Sequence, residues 1–299
     1  MPEPTRNARL RVHLATPIPE AIERALAQDF ELVPSASGAD GIIATPAVTV
    51  DAAYIDAAGP QLRVVANYAV GTDNVDLDHA RRRGVTVTNT PDVLTNATAE
   101  LTIGLILALL RRICEGDRMI RRRDLWRIAP EFMLGESLGG KELLVVGPGR
   151  IGTRVAQLAD AHGARARFAA RGDDLHALLP DADVVSLHVP LTRVTHHLID
   201  DRALAVMKPT AVLVNTARGQ VVDEGALVAA LRTGSLAGAA LDVYEFEPDV
   251  SEELLDLDNV VLTPHVASAT RDTRLAMGML CVDALRAVLL EGRTPSNAV

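Results

Sequence analysis

The chain has 299 residues, of which 48% are hydrophobic, 23% charged and only 3% aromatic. That length allows one large domain or two of ordinary size, and the composition excludes a disordered or fibrous protein while predicting cores of Leu, Val, Ile and Ala. A formal net charge of −9 opposes binding to nucleic acid or to an anionic membrane, so any site for an anion must concentrate positive potential locally.

Residues 1–11 are polar and carry prolines, which predicts no secretory leader, and the longest apolar stretch, residues 101–110, is too short to span a bilayer. The two cysteines, Cys114 and Cys281, lie far apart among apolar helical residues. They read as reduced and packed in a cytoplasmic protein, with a disulfide as the alternative. From residue 11 onward strand-like and helix-like segments alternate. Strands are predicted at 11–14, 30–33, 41–44, 63–67 and 85–88, separated by helices at 19–28, 52–58 and 77–83. This is an open, doubly wound parallel unit with no glycine fingerprint of its own.

Pro91-Asp92 breaks the alternation, and a long apolar helix is predicted from about residue 95 to 112, continuing brokenly to 124. Alternation then resumes, with strands predicted at 143–146, 166–169, 184–189, 211–215, 238–243 and 260–263 and helices between them, such as 223–232. A final helix at 268–290 is expected to return to the first unit, giving one domain from 1–92 with 267–299 and a second from 93–266, separated by a cleft. Arginines cluster at 81–83, 111–112 and 121–123, near predicted helix ends where cations complement the dipole, which with the acidic whole argues against nucleic-acid binding.

The strongest local signal is Leu143-Leu144-Val145-Val146-Gly147-Pro148-Gly149-Arg150-Ile151-Gly152, an apolar run entering glycines at Gly-x-Gly-x-x-Gly spacing. Gly147 permits a tight turn, Gly149 lets backbone amides approach a pyrophosphate, and Gly152 lets helix and strand pack closely. The phosphate then meets the positive end of the helix dipole. Later loops at the same sheet edge carry polar groups: Thr216-Ala217-Arg218-Gly219, Tyr244-Glu245-Phe246-Glu247-Pro248 and Pro264-His265. An arginine fork grips a carboxylate, a histidine moves a proton to or from an oxygen, and a glutamate beside it favours and orients the imidazolium. Together with a nicotinamide these add up to hydride transfer to a 2-oxo acid. No metal ligands are singled out.

Further motifs stand in order along the chain: Asn67 to Asp76 (NYAVGTDNVD), Asn89 to Thr95 (NTPDVLT) with Ala97-Thr98-Ala99-Glu100, Ser186 to Thr192 (SLHVPLT), Asn215 to Gly219 (NTARG), Leu241-Asp242-Val243-Tyr244 and Thr263-Pro264-His265. Over nearly its whole length the chain resembles the D-isomer-specific 2-hydroxyacid dehydrogenase family, closest to its glyoxylate/hydroxypyruvate reductase branch. The resemblance implies an α/β fold of two doubly wound parallel-sheet domains, a Rossmann cofactor domain and a flavodoxin-like substrate domain. It implies that Arg218 binds the substrate carboxylate, His265 is the acid/base, Glu247 pairs with it, and the amides at Val70 and Gly71 hold the carboxylate from the other domain. Asp242 would hold the nicotinamide carboxamide, Thr98 and the Arg150 and Ile151 amides the pyrophosphate, and Val189, Pro190 and Ala217 the cofactor's flank. It also implies a homodimer joined through the cofactor domain, with a partner surface on the apolar helix from Thr95.

Two departures from the family pattern stand out. Pro148 replaces a larger apolar residue and offers no amide. At the end of the second strand of the cofactor domain Ala170 stands where an acid would bind the ribose hydroxyls, and Arg171 follows. A preference for NADP(H), with NAD(H) possible, is therefore expected, although Asp173 and Asp174 could pair with Arg171. The alternatives are a phosphite dehydrogenase-like enzyme, which carries a catalytic lysine where Val70 stands, and a non-catalytic NAD(P)-sensing protein of the same fold.

Overall fold

Short apolar runs without alternation become strands buried on both faces, the pattern that parallel sheets require. In the first unit β1 (Arg11–Leu14), β2 (Glu31–Val33), β3 (Gly41–Ala44), β4 (Val64–Asn67) and β5 (Thr86–Thr88) pair in parallel in the order β2-β1-β3-β4-β5. In the second, β6 (Glu142–Val146), β7 (Arg165–Ala169), β8 (Val184–Leu187), β9 (Val212–Asn215), β10 (Gly238–Leu241) and β11 (Val260–Leu262) pair in parallel in the order β11-β10-β9-β8-β6-β7. This computed structural model describes residues 9–299. The chain separates into a unit formed by residues up to Leu94 with Ala269–Val299 and a unit formed by Thr95–Ser268. Both are doubly wound α/β sheets.

In the second unit the chain steps outward from β6 to β7 and then returns to the other side of β6 as β8, so the winding direction reverses there. Ligands of such sheets bind at the carboxyl edge beside that reversal. Successive residues of β6 point to opposite faces. Leu143 and Val145 pack with Ile103, Ile106, Val155 and Ala159, whereas Leu144 and Val146 join Leu187, Leu204, Leu213 and Leu227. Edge strand β7 is half exposed and carries Arg165, which pairs with Glu142, a charge that blunts pairing with another chain. Two predicted strands are shorter than the apolar runs suggest. The ladder ends at Leu187 and Leu241, so His188 to Pro190 and Asp242-Val243 are loop residues at the carboxyl edge.

The long apolar helix spans Thr95–Leu110 and a second helix spans Ile113–Arg122, with Arg112 in the left-handed conformation between them (φ 54°). Ala99, Ile103, Leu105 and Ile106 lie in the core against the helix Arg150–Ala161, while Asn96, Glu100 and Gly104, four residues apart on one face, are exposed. Exposed apolar side chains also follow it, at Leu125, Trp126, Ile128, Phe132 and Leu134.

The final helix Arg271–Leu289 packs in the first unit on β4 and on the helix Glu20–Ala27. Gly278 makes this approach possible, since a Cβ there would stand 1.9 Å from Ile22 Cδ1. Cys281 is buried in this helix, where burial pushes its thiol pKa up, and Cys114 is half-buried in the other unit; both are free. Among the clustered arginines Arg81, Arg83, Arg112 and Arg121 pair with carboxylates. No helix of the described residues is long and apolar enough to cross a membrane.

Candidate active site

The loop after β6 shows what its glycines are for. Gly147 has φ 102°, and a Cβ there would meet the His188 carbonyl oxygen at 2.7 Å, so this position is closed to other residues by conformation and by space. A Cβ at Gly152 would stand 2.2 Å from the Gly147 oxygen and 2.9 Å from Val145, which fixes the close packing of helix on strand. Gly149 has open space where its Cβ would be, and as N-cap of Arg150–Ala161 it supplies no side chain to the first-turn amides. By contrast the helices at Ala52–Ala58, Leu77–Arg82 and Glu224–Thr233 begin with aspartates that accept such an amide. The first turn of this helix, at the Ile151 amide, therefore fits a dinucleotide's pyrophosphate: no side-chain cap, the positive end of the dipole, and room in front of Gly149. Pro148 is exposed, and nothing in the structure explains its choice.

At the end of β7 the chain turns tightly. Asp173 N–H donates to the Ala170 oxygen at 3.2 Å with Gly172 at φ 100°, which puts Arg171 at the outer corner. The two nearby aspartates are used by backbone. Asp173 accepts from Ala170 N–H at 2.8 Å, and Asp174 caps the short helix Leu175–Leu178. The competition for Arg171 that the sequence left open is thus resolved in favour of the backbone amides, and the exposed guanidinium stands at the corner without an ion pair among the described residues.

Arg218 follows β9 in a loop tied by the buried Asn215. That side chain accepts from Ala217 N–H at 3.0 Å and donates to the Arg218 carbonyl at 2.8 Å. Gly219 brings this loop against the next one, since a Cβ there would lie 1.8 Å from the Tyr244 oxygen. In that next loop Glu247 accepts from Tyr244 N–H at 2.9 Å through Oε1 and from His265 Nδ1 at 2.8 Å through Oε2. Burial raises the Glu247 pKa, but the hydrogen bond and charge of His265, the Tyr244 amide and the charge of Arg218 outweigh it, and the carboxyl lies below its ordinary value. Its share in the pairing is complete above the ordinary carboxylate range and is lost as pH falls through the lowered pKa. A carboxylate can only accept, so Nδ1 carries the hydrogen and Nε2 is the nitrogen available to a substrate.

His265 itself sits at φ 52°, a strained conformation for a non-glycine residue. The neighbouring network holds it there. His265 N–H donates to the Asp242 carbonyl at 2.8 Å, while the fully buried Asp242 carboxylate accepts from Thr263 Oγ1 at 2.6 Å and from the amides of Val266 and Ala267 at 2.8 Å each. Asp242 thus positions the loop of His265, a task that sequence reading did not assign to it.

The remaining expected residues fall at the same edge or in the first unit. Val189 is half-buried against Gly147, and Pro190 is exposed beside it. His188 pairs with Ser186 Oγ at 2.8 Å, and burial pushes its pKa down to about 4, so it is neutral. Thr98 is buried in Thr95–Leu110, where its carbonyl accepts from Thr102, which in turn meets Thr216 at 2.9 Å beside Ala217. In the first unit, Asn89 donates to the Val70 carbonyl at 2.9 Å and Asn67 to that of Gly71 at 2.8 Å. The Val70 carbonyl shares its peptide plane with the Gly71 N–H, and the Ala69 carbonyl, which accepts from Thr90 N–H at 2.9 Å, shares its plane with the Val70 N–H, so both planes are oriented and neither N–H has a partner among the described residues.

Residues 103–267 match the family model "D-isomer specific 2-hydroxyacid dehydrogenase, NAD binding domain". The chain belongs to this family. As a D-2-hydroxyacid dehydrogenase it is an NAD(P)-dependent oxidoreductase. It is 48% identical to the glyoxylate reductase of Aeropyrum pernix over 80% of this chain and 77% of that one. It is 45% identical to the glyoxylate reductase of Thermococcus litoralis over the same shares. Among solved structures, a protein from Thermus thermophilus superposes with a TM-score of 0.90 at 44% identity, covering 97% of this chain and 100% of that one. The NADPH-dependent glyoxylate/hydroxypyruvate reductase of Sinorhizobium meliloti, solved with NADP and malonate, superposes with a TM-score of 0.87 at 34% identity, covering 98% and 97%.

Proposed function

We propose that the protein is a cytoplasmic reductase that prefers NADPH and converts a small 2-oxo acid, glyoxylate or hydroxypyruvate, to the D-2-hydroxy acid. The observation that carries this reading is the Glu247–His265 pair at 2.8 Å, close enough to Arg218 for its charge to act on Glu247. When bound, reduced nicotinamide supplies the hydride. Arg218 grips the substrate carboxylate with its fork, and His265 gives the proton on Nε2 to the oxygen at C2. Glu247 holds the imidazole by Nδ1–H and stabilises its charged form before transfer, and Asp242 keeps the His265 loop in its strained shape. The Ile151 amide and the glycine loop take the pyrophosphate, with Arg150, Thr98, Val189, Pro190 and Ala217 beside it. The oriented amides of Val70 and Gly71 suit a carboxylate.

The NADPH preference rests on Arg171, exposed at the corner after β7 with no acid competing for it. Steady-state kinetics with glyoxylate, hydroxypyruvate and pyruvate, each with NADPH and NADH, test substrate and cofactor together. Arg171→Ala is expected to lower kcat/KM for NADPH about 10–100-fold, the worth of one or two charge-assisted bonds, with NADH little affected. A wild type that prefers NADH overturns the cofactor assignment.

The exposed apolar run from Leu125 to Leu134, with Trp126 and Phe132 stacked at 6.2 Å, supports a homodimer joined through this unit, since monomers rarely leave such a surface open. Sedimentation should show a dimer for the wild type and a monomer for Leu125→Asp with Ile128→Asp; a monomeric wild type contradicts it.

A further inference from the structure

Apart from the Glu247–His265 pair, the loop after β8 carries two adjacent histidines that the proposed reaction does not use. His197 is held with φ 50°, its N–H donating to the Gln220 carbonyl at 2.8 Å. Its ring Nε2 lies 2.8 Å from Glu245 Oε1, and its Nδ1 lies 3.8 Å from Asp223 Oδ2. The exposed His196 ring lies beside it, with centroids 4.1 Å apart and planes 31° apart. One donor atom each from His196, His197 and Glu245 falls within 4.8 Å of the others.

A plain structural reading treats the His197–Glu245 bond as a staple between two loops. That reading gives no purpose to the second imidazole alongside, nor to the Asp223 oxygen Oδ2 that stands behind Nδ1 while Oδ1 caps a helix. The geometry points to a Zn2+ site with His196, His197 Nε2 and Glu245 Oε1 as its protein ligands. Two imidazoles and a carboxylate suit Zn2+ better than Mg2+ or Ca2+, and three protein ligands leave a position for water. In a tetrahedral site with bonds of about 2.0–2.1 Å neighbouring ligand atoms stand roughly 3.3 Å apart, so rotations of these side chains by about an ångström close the set.

The surrounding groups match what a metal site needs behind its ligands. When Nε2 binds the metal its hydrogen moves to Nδ1, where Asp223 Oδ2 can accept it while Oδ1 goes on capping the helix through Ala226 N–H at 2.9 Å. The far oxygen of Glu245, Oε2, is already held by Glu224 N–H at 3.2 Å, which aims Oε1 forward. Glu245 stands two residues before Glu247, and Gln220 two after Arg218. An ion here ties together the loops that carry both catalytic groups without touching either.

The test uses full-length protein treated with a chelator, titrated calorimetrically with ZnCl2 and, separately, followed by the visible absorption of added Co2+. One Zn2+ per chain is expected, with a rise in Tm on adding the metal. His196→Ala should weaken binding at least about tenfold, and Asp223→Asn, which keeps the helix cap, should weaken it about 10–100-fold. In chelator, His196→Ala should match the wild type in Tm and NADPH binding, and Glu245→Gln serves as the second ligand variant. Absence of Zn2+ binding by the wild type, or equal binding by wild type and His196→Ala, overturns the site.

Discussion

His265→Ala is expected to lower kcat by about 10²–10⁴-fold, the usual worth of a positioned acid or base, with NADPH affinity and Tm close to wild type. The side chain projects from a loop whose shape is set by backbone and by Asp242, not by the imidazole. The residue's N–H bond to the Asp242 carbonyl and the amide bonds of Val266 and Ala267 to the carboxylate survive the substitution. Alanine at φ 52° is no more at ease than histidine, so part of the strain remains in the variant. The defect should therefore appear in turnover. Equal kcat in wild type and variant would remove His265 from the proton-transfer role.

Arg218→Ala should act differently. A guanidinium makes two parallel charge-assisted bonds to a carboxylate, each worth about 1.5–3 kcal/mol, so kcat/KM should fall roughly 10²–10⁴-fold, with a rise in KM as the main visible change. Arg218→Lys keeps the charge but not the fork and should recover only part of the loss. Asn215 and Gly219 set this loop through main-chain contacts at Ala217, Arg218 and Tyr244. The alanine variant should accordingly fold with wild-type stability. A variant with unchanged KM for the 2-oxo acid would show that the carboxylate is held elsewhere.

Much of the fold and of the candidate site could be read in advance because its signals are local. The strands after which Gly147, Arg218, Glu247 and His265 emerge are short runs buried on both faces, and turn residues mark where each ends. Gly147 and Gly152 announced their own geometry, since only glycine fits where a carbonyl stands within 2.7 Å of a Cβ. Legibility fails where a residue's partner is distant in sequence. The motif marks Asp242 as a cofactor contact, but not the loop-holding bonds its carboxylate takes from Thr263, Val266 and Ala267, across a loop whose shape the motif does not reveal. The competition between Arg171 and its neighbouring aspartates could be settled only once Ala170 and Ala177 were seen to claim both carboxylates.

Two further features show the same limit. The helix Thr95–Leu110 has a small amphipathic signal, with apolar residues around most of its circumference, so its periodicity alone could not say which side the core covers and that Asn96, Glu100 and Gly104 would stand exposed. His196 and His197 are neighbours in the sequence and carried no signal there, because Glu245 and Asp223 reach them from other loops of the sheet edge.

The most direct test mixes NADPH-loaded protein with excess glyoxylate or hydroxypyruvate in a single turnover and follows the reduced-nicotinamide absorbance. Fast decay is expected in the wild type, with decay slowed by at least about 10²-fold in His265→Ala at equal cofactor loading. A wild type that binds NADPH and shows no decay with either acid, or a His265→Ala that decays as fast, would contradict hydride transfer assisted by this histidine.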